Sequence, residues 1–318
     1  MNYEQFLEAV KAAAQEKLGN SRDIKVQKIK KNNGVILEGL VINSKDDQFA
    51  PTIYLDSYYL DFKHGRSLTR IIEDIITVCK EDKDMTLKDI RIFLDFNNLK
   101  DKVVYKLIQT EANEELLKDI PSYDFLDLSV VFYLILDENK NEQMTALIHN
   151  SHMDSWGTTK EELYQLARKN TPEILPARIK TMREVLKGIL KENQWDMGDG
   201  MIDELLGGEL HPMYVLSNER QVNGACCILY DDCLEKFATE QKADIIILPS
   251  SIHETLLIPE WEGASYEELS AMVTEINQSE VQETDRLSNQ IYRYSHLSGS
   301  VEIVFQSEKC LVNRGGKG

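Results

Sequence analysis

The chain has no stretch approaching the roughly 18 consecutive apolar residues that cross a bilayer, which excludes a helical membrane span. Cysteine is scarce: Cys79, Cys226, Cys227, Cys233 and Cys310 are five among 318 residues, an odd number without framework spacing. A disulfide scaffold is therefore not expected, and reduced thiols suit a cytosolic chain. The start, Met1 to Glu8, lacks the basic and apolar regions of a secretory signal, so the cytoplasm is the expected address. Phosphate loops, dinucleotide glycine fingerprints, Gly-x-Ser-x-Gly elbows and paired-cysteine zinc sites are absent. No cofactor and no metal is expected on these grounds, and no complete catalytic motif is present. Tandem repeats and low-complexity segments are missing as well.

Positive charge is in short supply. Thirty-six Lys and Arg face 54 Asp and Glu, a net charge of −18. Residues 201–288 hold only Arg220, Lys236, Lys242 and Arg286 against eighteen acidic residues, whereas residues 1–50 carry eight basic and seven acidic. A phosphate backbone would be repelled by the acidic part, so no nucleic acid is expected there. Solubility accounts for such acidity, and a basic protein partner is its functional reading.

What is present is enough for real cores: 42% of the residues are apolar, and the length suits about two domains. Tyr3, Phe6, Leu7, Val10, Ala14 and Leu18 predict an amphipathic helix that stops at Gly19-Asn20. Asn32-Asn33-Gly34 joins two predicted strands, Ile24–Lys31 and Gly34–Ile42. Val26 and Ile29 break the alternation, which predicts a bulge or an edge, and Lys25, Lys28, Lys30 and Lys31 then guard that edge. A strand at Pro51–Leu55, an aromatic helix over Tyr58–Phe62 and a helix capped by Ser67 follow.

The pattern restarts near residue 98. Val103–Ile108 and Leu126–Leu136 read as strands, the second pairing with Met144–Ile148, and Asn113–Leu117 as a short helix. Thr158 with Glu161 predicts a capping box opening a helix that ends before Pro172. Ile179, Met182, Val185, Leu186 and Ile189 mark another helix. Residues 192–211 read as a packed irregular connection holding Trp195. Strands are expected at Met213–Leu216, Ala225–Tyr230, Ala243–Leu248 and Thr255–Ile258, with helices opening at Asp232 and at Ser265. The latter carries Glu268 and faces Tyr266, Leu269, Met272, Val273 and Ile276 inward. Hairpins and helices without βαβ alternation predict an α+β fold with mixed or antiparallel sheets and packed helices in two lobes. The expected boundaries are 1–97 for a smaller lobe, 98–306 for a larger one, and 307–318 for a disordered tail.

Chemistry concentrates at one strand end. The run Ile245–Leu248 ends at Pro249 and delivers Ser250, Ser251, His253 and Glu254, the candidate binding site. Hydroxyls beside an imidazole allow a hydrolase-like enzyme with His253 as base. His253-Glu254 begins like a zinc-protease helix, but Leu257 occupies the place of the second ligand. The competing account makes these residues a turn whose polar groups bind nearby backbone. His149, His152 and Asp154 form a second cluster, in an expected turn, that could serve a metal-binding module short of the four ligands a structural site needs. Asp196, Asp199 and Asp203 do not match a calcium loop. Trp261, beside Pro259 and Gly263, is a candidate anchor for a protein partner or else a lid on the core.

Several segments carry a family resemblance. They are Asn32-Asn33-Gly34 with Pro51–Leu55, Glu162-Leu163 with Ala167 and Asn170-Thr171, Leu216–Asn218, Gly224-Ala225, and Leu248–Glu254. Through them the chain resembles a bacterial domain of unknown function, number 5688, over roughly residues 2–296. From about residue 100 it is more distantly similar to the family numbered 1444. The resemblance implies a cytoplasmic bacterial protein, of a kind carried on mobile genetic elements, and brings no activity or catalytic residue. The expected function is non-enzymatic binding or regulation through a protein partner, and the sequence leaves the oligomeric state open.

Overall fold

The computed structural model describes residues 1–19, 22–44, 52–81, 95–139, 142–192 and 212–305. The expectations for Cys310, Trp195, Asp196, Asp199, Asp203 and the 307–318 tail lie outside them. The chain divides into two compact units, Met1–Lys100 and Asp101–Gly318. Both are α+β, and among the described residues every strand pair is antiparallel.

In the first unit, α1 (Tyr3–Leu18) begins at Asn2, whose side chain accepts the Gln5 N–H, and ends at Gly19 with φ 80°. It buries Phe6, Val10 and Ala14. The sheet runs β1 (Arg22–Lys30), β2 (Ile36–Ser44), β3 (Thr52–Tyr54). Asn33 and Gly34 both take positive φ in the turn, as the Asn-Asn-Gly signal requires. The register from Arg22 to Lys30 is continuous, so the irregular alternation at Val26 and Ile29 marks an edge strand and not a bulge. Helix α3 (Leu68–Glu81) supplies Ile71, Ile75 and Ile76 to a core shared with Leu40, Ile53 and Leu55, and α2 (Asp56–Lys63) packs the partly buried Tyr58, Tyr59 and Phe62 against it.

The described residues of the second unit form two sheets. In the four-stranded one, β6 (Leu128–Asn139) is central: β4 (Val103–Gln109) lies on one edge, and β5 (Ser122–Phe125) then β7 (Glu142–Leu147) share the other. The short helix α4 (Glu114–Leu117) precedes β5. Leu126 lies in the β5–β6 turn with φ 57°, not in the strand expected to begin there. Helix α6 (Lys160–Ile174) covers the outer edge of β4: Thr171 accepts the Tyr105 N–H at 3.1 Å and Asn170 donates to the Val103 carbonyl at 3.0 Å. Two buried polar residues on a helix thus satisfy a strand edge that would otherwise be orphaned.

The second sheet has six strands in the order β13-β12-β10-β11-β9-β8. They are β8 (Ala177–Thr181), β9 (Tyr214–Asn218), β10 (Ile245–Leu248), β11 (Thr255–Pro259), β12 (Ile291–Ser295) and β13 (Ser300–Phe305). Between them run α7 (Met182–Glu192), α8 (Cys233–Gln241) and α9 (Tyr266–Ser279). One face buries Ile246, Leu248, Ile258 and Ile291 with Val273 of α9.

Several expectations are corrected here. Ile179 belongs to β8, and the helix starts only at Met182, because Thr181 and Glu184 cap one another. The α6 cap is Thr159, which accepts the Glu162 N–H, while Thr158 binds the Glu162 carboxylate. Pro172 sits inside the last turn of α6. Ala225–Tyr230 is no strand: Asn223 turns the chain at φ 54° and Gly224–Leu229 form a 3₁₀ helix, all of it buried except Leu229. Cys226 and Cys227 are both buried there. Asp232 precedes α8 with φ 61° and its side chain makes no cap. Ile276 is exposed, and the buried face of α9 carries Ser270 and Asn277 instead. His152 and Asp154 lie on a helix, α5 (Asn150–Trp156), where a turn was expected.

Candidate functional site

Strand β10 ends at Leu248, and the chain returns as β11 from Thr255. The residues between are sewn to the segment before β12. Pro249 and Ser250 carbonyls accept the N–H groups of Ser288 (2.8 Å) and Leu287 (3.0 Å), and the Ile252 N–H donates to the Asp285 carbonyl at 2.8 Å. Ser251 forms a bridge with Arg286. On the other side the Ile252 carbonyl accepts the Ala225 N–H at 3.1 Å, and the His253 carbonyl accepts the Ser217 hydroxyl at 2.7 Å. The Ser251 hydroxyl accepts the His253 N–H at 3.0 Å. The backbone groups of Ser250, Ile252 and His253 are therefore all met by their neighbours.

The imidazole is engaged at both nitrogens. Nδ1 accepts the backbone N–H of Asn223 at 3.2 Å, and Nε2 lies 3.6 Å from the Asp285 carboxylate. Acceptance at Nδ1 puts the neutral ring's proton on Nε2, facing Asp285. The His253 side chain is 35% exposed and that of Asp285 28%. Among the described residues no hydroxyl or thiol is hydrogen-bonded to this ring. Ser250 is half-buried, and Glu254 is exposed.

The partners of His253 come from elsewhere in the chain. Asn218, almost fully buried, accepts the Arg220 N–H at 3.0 Å and donates to the Val222 carbonyl at 2.7 Å, which shapes the turn leading to Asn223. Gly224 must be glycine on space alone: a Cβ there would meet the Ser217 hydroxyl at 2.2 Å and the His253 carbonyl at 2.5 Å. Sequence reasoning missed Asn218, Asn223 and Asp285. The Asn223-Gly224 pair was a turn signal that could have found Asn223. Asp285 lies 32 positions from His253 and carries no local mark.

Beside this loop, the Asp127 carboxylate of the β5–β6 turn accepts the Ser288 hydroxyl at 2.7 Å and the buried Tyr292 hydroxyl. Burial first, then the charge of Asp127, hold that phenol well above its usual pKa. The contact ties one sheet of the unit to the other.

The remaining candidates are placed as follows. His149 and His152 lie with ring centres 5.5 Å apart, and the His152 Nδ1 accepts the His149 N–H at 3.1 Å. The His152 ring stacks on Trp156. Burial, then the neighbouring His149, lower its pKa from 6.5. Among the described residues no group of three or more His, Cys, Asp or Glu is placed to hold a metal. Trp261 packs against the cluster of Ile246, Leu248 and Ile258. Burial pushes the Cys233 thiol up to about 12, and the hydrogen bond with Cys226, then burial, raise Cys227.

Fold and loop together define an α+β protein of two compact units whose best polar cluster is a braced strand end. The chain belongs to a family of unknown function, DUF5688, whose model matches residues 3–296. No curated protein and no solved structure matches it. Among the described residues no helix is long and apolar enough to cross a membrane.

Proposed function

We propose that this is a non-enzymatic binding or regulatory protein of the cytoplasm that acts through a protein partner. The observation that supports the reading is the engagement of His253. Its Nδ1 receives the Asn223 N–H and its Nε2 faces Asp285, so the ring holds a turn together and activates no nucleophile. The buried Cys227 thiol and the half-buried Cys233 thiol, both held protonated, add no alternative nucleophile.

The hydrolase-like alternative at Ser250–Glu254 is favoured by one feature, the carboxylate beside Nε2, which orients a base in acyl-transfer enzymes. The two readings separate on a single comparison. Quantitative capture from native lysate of the source cells, with wild type and His253→Ala, recovers the same partner under the binding reading. Capture of nothing above background, together with hydrolysis of an ester or peptide panel that vanishes in His253→Ala, would establish the enzyme instead.

A further inference from the structure

Strand β8 closes one side of the six-stranded sheet and pairs with β9 alone among the described residues. The bonds from Glu219 N–H to the Pro176 carbonyl and from Met182 N–H to the Met213 carbonyl fix its phase. Even-numbered residues bond to β9, and Ala177, Ile179 and Thr181 direct their N–H and carbonyl groups outward. The Glu184 carboxylate takes the outward Thr181 N–H at 2.8 Å. The outward groups of Ala177 and Ile179 have no strand opposite them among the described residues. An edge of this kind is a template for another strand.

A groove of about 650 Å³ runs beside these same two residues. Pro172, Ile179, Tyr230 and Phe237 give it an apolar lining, and its charged residues are Lys169 and Lys236 against Glu173, Asp231 and Glu240, so the groove itself offers apolar contact and no net positive charge. Positive charge lies instead on the strand itself and on the helix after it. Residues 177–191 carry Arg178, Lys180, Arg183, Lys187 and Lys191 against Glu184 alone, in a molecule of net charge −18.

We propose that β8 is the docking edge for an extended segment of a protein partner in which acidic residues alternate with apolar ones. The idea rests on the partner-binding reading above and names the partner's chemistry. Strand addition would supply main-chain bonds to Ala177 and Ile179. Apolar side chains of the segment lie on the groove face with Ile179, and acidic ones stand beside Arg178 and Lys180. A second copy of this chain is the wrong occupant, since antiparallel self-pairing would set Arg178 and Lys180 against the same cations.

The test uses the full chain and two end-blocked, fluorescent seven-residue peptides, one alternating Glu with Val and one alternating Lys with Val. Anisotropy should show the Glu–Val peptide binding and the Lys–Val peptide not. Ile179→Pro deletes an outward N–H and no bond to β9, and should weaken binding by about tenfold or more. The pair Arg178→Glu with Lys180→Glu should reverse the preference, and it decides the matter alone if circular dichroism shows Ile179→Pro unfolded. Failure of the Glu–Val peptide to bind, equal binding of both peptides, or dimerisation that Ile179→Pro abolishes would each overturn the proposal. Lysate capture separates the two levels. If wild type and the charge-reversed chain recover the same partner equally, the edge is wrong and the partner reading stands; if neither recovers one, both fall.

Discussion

At the scale of single residues, His253 behaves as a brace. The Asn223 N–H that it accepts belongs to a buried residue held at φ 54°, so losing the acceptor strands a donor. His253→Ala should therefore lower stability by about 1–3 kcal/mol in urea denaturation. A midpoint unchanged from wild type would mean the ring is not structural. The thiols give a second expectation. With Cys226 and Cys227 buried and Cys233 raised to about 12, iodoacetamide at neutral pH should leave the peptides carrying them unmodified until urea is added. Mass spectrometry of the native and unfolded protein reads this directly. His152 sets a pH dependence. Its folded pKa lies below the ordinary 6.5, so the unfolded chain binds the proton more tightly. Its contribution is complete above 6.5 and is lost as the pH falls through that value toward the folded one. His152→Gln should flatten that part of the stability profile, and an unaltered slope would show the ring is not the group responsible.

At the scale of elements, caps decide where helices begin. Thr158-x-x-Glu161 and Thr159-x-x-Glu162 are both valid signals one residue apart, and only the second hydroxyl meets the N–H of a first turn. Thr159→Ala should cost about 1 kcal/mol in thermal or urea unfolding. Thr158→Ala should cost less, and the reverse order would move the start of α6. The same logic explains Ile179. Its spacing to Met182 and Leu186 suits a helix, yet Thr181 with Glu184 offers a complete capping box that starts the helix after it. That box was legible and outweighs the periodicity, because the hydrogen bonds it makes are specific to one position. Ala225–Tyr230 shows the opposite case. A six-residue apolar run is compatible with strand or helix, and the turn at Asn223, with the Ala225 N–H bound to the Ile252 carbonyl, starts the 3₁₀ form.

At the scale of the whole molecule, each unit carries its own buried clusters. Residues 101–318 expressed alone should unfold in one cooperative transition by calorimetry, and a chain with no transition would make the division a matter of geometry only. The edges of the sheets are treated differently. Helix α6 closes β4 with Asn170 and Thr171, while β8 is left with cations on one face. Neither treatment could be foreseen from local pattern, since Asn170 and Thr171 read as ordinary residues near a helix end.

Sequence alone determined the α+β class, the first hairpin and most helices, because period, caps and Asn-Gly turns act over a few residues. It also marked Pro249 to Glu254 as the place where a core strand ends in polar groups. Tertiary structure decided what those groups do, since Asn223, Asp285 and Ser217 reach His253 from 30, 32 and 36 positions away. Hydrogen bonds between such distant residues leave no local trace, for they follow from how strands are ordered in the sheet and not from what neighbours what in the chain.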